Sequence, residues 1–242
     1  MTDEPPLPGG FIAAPVRLGD TVRRPLGPRA SFVHALLRHF DRAGWSGAPR
    51  LLGTDDAGRE ILSYVEGHVP WRSPLEVGSA VVAVARLLRE CHDLTAGTAL
   101  AGDQEVVCHN DLSPRNTVYR REAGEWRPVV FLDWDIAAPG ERVHDVAHLC
   151  WQFLPLDPRA TDVADTALRL RAVADAYGLA DRSALVPTVL WWQDRCWRGI
   201  EAGAAAGEQN MLRLRETGAA ADVRAAHAWV TRHRTTLERA LR

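Results

Sequence analysis

Apolar residues recur with two different periods along the chain, and the period changes between Gly67 and Pro74. Up to Gly67, short apolar runs are interrupted by Gly and Pro, a pattern typical of strands joined by tight turns. From Pro74 onward, apolar positions recur at intervals of three and four residues, which is the period of amphipathic helices. We therefore predict a strand-rich unit over 1–67 and a helical unit over 68–242.

The same patterns locate the individual elements. The helical period predicts helices over 31–40, 75–92, 143–153, 160–177, 184–203 and 219–241. Short apolar runs predict strands over 106–108, 116–119 and 129–132. The first two of these strands flank a polar loop, so we expect both ends of the loop to be held by regular structure.

A β-hairpin is predicted near the start of the chain, because Gly19-Asp20 is a favoured turn between two strand-like runs. In this register Val16 lies opposite Arg23, and the period of two places both side chains on one face. Arg24 then points to the other face.

The loop between the first two of the three predicted strands carries His109, Asp111 and Asn116, and Asp133 follows the third. Phosphoryl transfer needs a carboxylate near the attacking hydroxyl and oxygen ligands for Mg²⁺. Asp111 suits the first role, while Asn116 and Asp133 suit the second. Taken alone, the loop also fits a β-hairpin turn, since Asp, Ser, Pro and Asn are common turn residues. Its coupling to a strand that ends Leu-Asp-Trp favours a kinase-like enzyme.

At these residues the chain resembles the aminoglycoside phosphotransferase family, including small relatives of the phosphotransferase or trifolitoxin immunity type. Segments 64–67 and 140–147 resemble the family's hinge and its Gly-(x)-Asp-Leu-Ala segment. The resemblance implies an α+β, protein-kinase-like, two-lobed fold with a reduced antiparallel-sheet N-lobe, 1–67, and a helical C-lobe, 68–242. It also implies Mg²⁺-dependent transfer of the γ-phosphate of ATP or GTP to a hydroxyl of a small molecule, such as an antibiotic or a metabolite.

The resemblance also implies roles for particular residues of the catalytic loop and the hinge. Asp111 becomes the catalytic base, and His109 supports the loop from beneath. Tyr64 and Val65 take the hinge positions that contact the nucleotide.

The nucleotide roof follows from the hairpin and the resemblance together. Val16 would pack on the adenine, and Arg23 would reach the phosphates in place of the family's lysine. Gly9 and Gly10 suit a loop that covers the phosphates, because glycine lets the backbone approach a ligand, but they equally suit a flexible tail.

The chain departs from the family in its nucleotide-binding residues. It has no lysine, and its predicted helix over 31–40 lacks the glutamate that holds the lysine in the family. Arginine is longer and planar, so the exchange is not conservative. We expect His34 to be exposed rather than to replace the glutamate. These losses leave two alternatives open, a pseudokinase that acts as a binding or immunity protein and a peptide Ser/Thr kinase of natural-product biosynthesis.

Composition narrows the classes of partner. The net charge is -2, and the 29 basic residues are interleaved with 31 acidic ones, which argues against nucleic acid. The longest apolar stretch, 77–85, is too short to span a membrane. Four scattered cysteines indicate buried, reduced thiols and a cytoplasmic protein. The expected partner is a small-molecule hydroxyl acceptor, or else a peptide.

Two other features have competing interpretations. His144 and His148 are spaced like the ligands of a zinc hydrolase helix, but no third ligand is evident, and we expect ordinary helix residues. Trp191, Trp192 and Trp197 are expected to lie mostly in the core, with the remainder lining a substrate cleft.

Overall fold

The computed structural model describes residues 15–70 and 80–242. The chain divides into two compact units, Met1–Arg142 and Val143–Arg242. These two units are defined by their internal contacts. The lobe boundary predicted after residue 67 is a separate matter and stays a prediction. The described residues combine antiparallel sheets with helices, so the predicted α+β class is confirmed.

The first unit contains all the described strands and two complete α-helices. Its elements are β1 Val16–Leu18, β2 Thr21–Pro25, α1 Ala30–Arg42, β3 Leu51–Thr54, β4 Arg59–Ser63, α2 Ala80–Thr95, β5 Val106–Cys108, β6 Thr117–Glu122, β7 Glu125–Phe131 and β8 Ala138–Gly140. A 3₁₀ turn, Pro114–Asn116, precedes β6. The predicted helix over 75–92 corresponds to α2, and its first residues lie outside the described part of the chain.

Four strands form one antiparallel sheet in the order β1-β2-β4-β3. The predicted hairpin register is confirmed, since Val16 pairs with Arg23 across a turn that places Gly19 at φ 59°. The pairing of β2 with β4 puts Arg24 directly opposite Glu60.

The strands on either side of the polar loop do not pair with each other. β5 pairs with β8, while β6 pairs with β7. The hairpin interpretation of the loop is therefore wrong, because each flanking strand finds its partner later in the chain.

The second unit is helical in its described residues. α3 Arg142–Phe153 leads into it, followed by α4 Val163–Tyr177, α5 Leu185–Ala205, α6 Gln209–Glu216 and α7 Ala219–Ala240. The structure confirms the predictions of α3, α4, α5 and α7. α6 was not predicted; it is only eight residues long, and none of them is buried.

The tryptophan cluster of α5 does not lie in the core as expected. Trp191 is 46% exposed, and Trp192 and Trp197 are half-buried. The imidazole of His144 stacks on Trp191 with ring centroids 5.4 Å apart, and His148 meets Trp192 edge-on. Among the described residues, no third His, Cys, Asp or Glu joins both histidines in a group that could hold a metal ion.

The cysteines agree with the prediction of reduced thiols. All four lie in the described ranges, and no disulfide joins them. Cys91, Cys108 and Cys150 are buried, and Cys196 is partly exposed. No described helix combines the length and the apolar character that crossing a membrane requires.

We expect Gly67→Ala to lower the free energy of unfolding by about 2–4 kcal/mol, as measured by urea denaturation. Gly67 has φ 156°, and a β-carbon there would lie 2.8 Å from the Tyr119 carbonyl oxygen and would also meet Val118. Gly58 is the matched control, because it has φ 73° but open space around the position of a β-carbon. Its change to Ala should cost only about 1 kcal/mol, and equal losses in the two variants would contradict the proposed clash.

Candidate active site

The loop between β5 and β6 turns back on itself, so that Asn116 reaches Asp111. The Asn116 amide nitrogen donates to the Asp111 carbonyl oxygen at 2.8 Å and to its carboxylate Oδ2 at 2.9 Å. The loop can fold this tightly because Asn110 adopts a left-handed conformation, φ 65°, which asparagine tolerates well. Both bonds use the amide nitrogen, so a metal ion would take the amide oxygen.

Backbone hydrogen bonds of Leu132 tie this loop to the end of β7. His109 Nε2 donates to the Leu132 carbonyl oxygen at 2.9 Å, and the Leu132 N–H donates to the Asn116 carbonyl oxygen at 2.8 Å. The Asp111 N–H approaches His109 Nδ1 at 3.3 Å. Since Nδ1 accepts and Nε2 donates, His109 is the neutral tautomer protonated at Nε2. The ring is buried, and hydrogen bonds join it to Leu132 and to the Asp111 backbone.

Asp133 follows immediately and is held in an unusual conformation, φ 61°. The neighbouring Trp134 is buried, donates from Nε1 to the Phe131 carbonyl oxygen at 3.0 Å and packs against His109. Trp134 thus anchors the turn from inside. The carboxylates of Asp133 and Asp135 stay 39% and 29% exposed.

The guanidinium of Arg24 lies against these two carboxylates. Its Nη2 is 2.6 Å and its Nη1 3.2 Å from the oxygens of Asp135, and Nη1 is 3.6 Å from Asp133 Oδ1. Its Nε donates to Glu60 Oε1 at 2.5 Å. Burial acts to lower the pKa of Arg24, but Asp135, Glu60 and Asp133 outweigh it and raise the pKa above its ordinary value.

Glu60 is buried on β4, and both of its oxygens are bound. Its carboxylate is 2% exposed, and His34 Nε2 from α1 lies 2.7 Å from Oε2. The expectation that His34 is exposed is wrong, because its side chain is 13% exposed and bonded to Glu60. Residues 31–40 supply no acid, as the sequence predicts, and the acid that pairs with Arg24 comes from β4 instead.

Arg23, the predicted phosphate cation, points elsewhere. Its Nη1 lies 3.4 Å from Asp55 Oδ2, and Arg59 also binds that carboxylate. The backbone N–H of Arg59 is the main cause that lowers the pKa of Asp55 to about 2. The structure therefore brings Arg24, and not Arg23, to Asp133.

A sequence signal for the missed residues does exist. On β4 the burial alternates, and Glu60 and Leu62 both occupy buried positions. A lone acid at the inward-facing position of an alternating strand needs a buried partner. That partner is the arginine opposite it on β2, which the hairpin register alone assigned to the less favoured face.

The other predicted nucleotide contacts lie around the hairpin. Val16 is half-buried opposite Arg23, and the Tyr64 N–H donates to the Asp20 carbonyl oxygen at 2.8 Å. Val65 comes directly after Tyr64 and is also half-buried. Their contacts with a nucleotide stay predictions. Gly9 and Gly10 lie outside the described residues.

The donor set fits a hard divalent cation. Asp133 and Asp135 offer carboxylate oxygens, and Asn116 offers an amide oxygen, which is the chemistry that Mg²⁺ prefers. The guanidinium of Arg24 beside both carboxylates shows that this pair of acids already attracts a positive charge.

Comparisons with known proteins point to a family. Residues 97–185 match the model of a phosphotransferase enzyme family. The chain is 32% identical to the trifolitoxin immunity protein of Rhizobium leguminosarum bv. trifolii, over 272 aligned positions that cover 100% of both chains.

Solved structures of kinases share the fold. A choline/ethanolamine kinase family protein from Mesorhizobium loti is 19% identical, with a TM-score of 0.56 over 96% of this chain and 89% of that one. The GDP and kanamycin complex of APH(2")-IIia is 15% identical, with a TM-score of 0.55 over 98% and 92% of the two chains. These likenesses confirm the predicted protein-kinase-like α+β fold.

Proposed function

We propose that this chain, which belongs to the phosphotransferase enzyme family, transfers the γ-phosphate of ATP or GTP to a hydroxyl of a small molecule with the help of Mg²⁺. One observation carries the proposal. The Asn116 amide holds the Asp111 carboxylate, while Leu132 ties the same loop to the residue before Asp133. A base and a metal-binding acid are thereby fixed on one framework.

The residues support a direct transfer to the acceptor. Asp111 takes the proton of the acceptor hydroxyl as the hydroxyl oxygen bonds to the γ-phosphorus. The bond between the γ-phosphorus and the bridging oxygen breaks, and its electron pair leaves with the nucleoside diphosphate. When bound, Mg²⁺ would neutralise phosphate charge, and Asn116, Asp133 and Asp135 are the residues that would hold it.

We assign the phosphate contact to Arg24 rather than to Arg23. Arg24 lies at the acids that would hold the metal, whereas Arg23 is engaged by Asp55. An arginine fork pairs well with phosphate oxygens, so the absence of lysine does not by itself remove the phosphate-binding function.

The acceptor is a small hydroxyl compound, with a hydroxyl-bearing peptide as the alternative. The four thiols favour a reducing compartment, so we place the activity in the cytoplasm. A second candidate is a binding protein that confers immunity without transferring phosphate. It is favoured by the name of the 32% identical relative, which is an immunity protein.

Mg²⁺-dependent nucleotide binding separates the two candidates. We expect ATP or GTP with Mg²⁺ to raise the unfolding temperature, because a ligand at one hundred times its dissociation constant adds about 2.7 kcal/mol to stability. Differential scanning fluorimetry measures the shift, with nucleotide plus chelator as the control. A chain that binds no nucleotide would favour the immunity candidate. For a chain that binds, labelled γ-phosphate offered with kanamycin, choline, ethanolamine and a hydroxyl-bearing peptide tests transfer.

Two carboxylate variants should separate chemistry from binding. Asp111→Asn removes the proton acceptor but keeps the shape, so transfer should fall by about 10²–10⁴-fold with nearly unchanged Mg²⁺-nucleotide affinity. Asp133→Asn removes a charged metal ligand, so the affinity itself should fall. Calorimetric titration and transfer rates measure both. Transfer at the parental rate would exclude Asp111 as the base, and unchanged affinity would exclude Asp133 from the metal site.

Two arginine variants test the phosphate assignment. Arg24→Ala should weaken Mg²⁺-nucleotide binding by about tenfold to a hundredfold, since a charge-assisted hydrogen bond contributes roughly 1.5–3 kcal/mol. Arg23→Ala, on the neighbouring residue of the same strand, is the matched control and should bind like the parent. A larger loss of affinity in Arg23→Ala than in Arg24→Ala would favour Arg23 as the phosphate contact.

A further inference from the structure

Three side chains from three different elements meet at one buried carboxylate. Arg24 comes from β2, Glu60 from β4 and His34 from α1. Arg24 Nε donates a hydrogen bond to Glu60 Oε1 at 2.5 Å, and His34 Nε2 forms one with Glu60 Oε2 at 2.7 Å. Each oxygen of the carboxylate therefore has its own partner, as a buried acid requires.

The register of the sheet brings Arg24 and Glu60 together. Arg24 lies directly opposite Glu60 in the β2–β4 ladder, so their side chains project from the same face at neighbouring positions. Leu62, two residues on along β4, is buried as well, which identifies the inward face of that strand. The acid cannot turn to solvent without a shift of register.

Arg24 divides its donors between two sets of partners. The bond to Glu60 occupies Nε, while Nη1 and Nη2 remain directed at Asp133 and Asp135. A lysine would have to share the three donors of one nitrogen between Glu60 and a ligand, whereas the guanidinium offers each partner a separate edge.

We propose that Glu60 and His34 are positioning residues that aim the two terminal nitrogens of Arg24 at the nucleotide phosphates. This inference rests on the proposed kinase function. An arginine side chain normally loses much conformational freedom on binding, and one already ordered by Glu60 loses less. His34 fixes the orientation of the carboxylate in turn, because an ionised carboxylate only accepts hydrogen bonds and the imidazole donates one.

The histidine variants give the sharpest test. Isothermal titration with Mg²⁺-ATP and Mg²⁺-GTP should show His34→Leu about tenfold weaker than the parent, because the carboxylate loses its donor. His34→Gln should recover most of the affinity, since its amide N–H reaches about as far as Nε2 and can still donate. His39→Gln is the matched control on the same helix, because His39 Nε2 bonds the Leu94 carbonyl oxygen instead.

Coupling to Arg24 distinguishes positioning from a general structural role. In the Arg24→Ala background, His34→Leu should change the affinity by less than about twofold, since the residue it acts through is gone. Glu60→Gln should weaken binding by about tenfold in the parent and equally little in that background. If Glu60→Gln does not fold, the histidine variants decide alone.

The outcomes separate this inference from the function on which it rests. A parent that binds no Mg²⁺-nucleotide overturns both. A parent that binds, with His34→Leu and Glu60→Gln at parental affinity, overturns the positioning role and leaves the kinase proposal standing. Equal losses in His34→Leu and His34→Gln, or a full loss in the Arg24→Ala background, overturn the positioning role in the same way.

Discussion

The two backbone hydrogen bonds of Leu132 are the constraint on which the candidate site depends. One runs from the His109 ring to the Leu132 carbonyl oxygen, and the other from the Leu132 N–H to the Asn116 carbonyl oxygen. They fasten the loop that carries Asp111 to the strand end that carries Asp133. Without this tie, the proposed base and the proposed metal ligand would have no fixed separation, and phosphoryl transfer depends chiefly on positioning.

The tie also explains why so many residues around it are buried and neutral. His109 is a neutral donor, Trp134 packs against it, and Asn116 binds Asp111 through an amide rather than a charge. The carboxylates of Asp133 and Asp135 remain partly exposed. The buried groups near these carboxylates are neutral and hydrogen-bonded, which keeps the desolvation cost low. Burying an unpaired charge would be far more costly than burying a hydrogen-bonded polar group.

The sheet contains an ion pair between Arg24 and Glu60, although the chain has no lysine. A cation with an acidic partner is present, but both members come from adjacent strands, and the helix contributes a histidine instead of an acid. Arg24, Glu60 and His34 thus form one hydrogen-bonded set without a lysine.

The sequence by itself determined the elements and the local chemistry. Helical periodicity located most of the helices, Gly19-Asp20 set the hairpin register, and the spacing of Asp111, Asn116 and Asp133 identified the candidate site. These features depend on neighbours along the chain, or on patterns with a fixed period, so they are legible without tertiary contacts.

Only the tertiary structure decided which cation meets Asp133 and Asp135. A hairpin register assigns Arg23 and Arg24 to opposite faces, but it does not say which face turns toward Asp133. The face that turns toward Asp133 is set by two contacts. Buried Glu60 on β4 pairs with Arg24, and His34 on α1 binds the second oxygen of Glu60. The partners are far apart in sequence, and the energy of a buried charge depends on which groups surround it, which is a property of the fold alone.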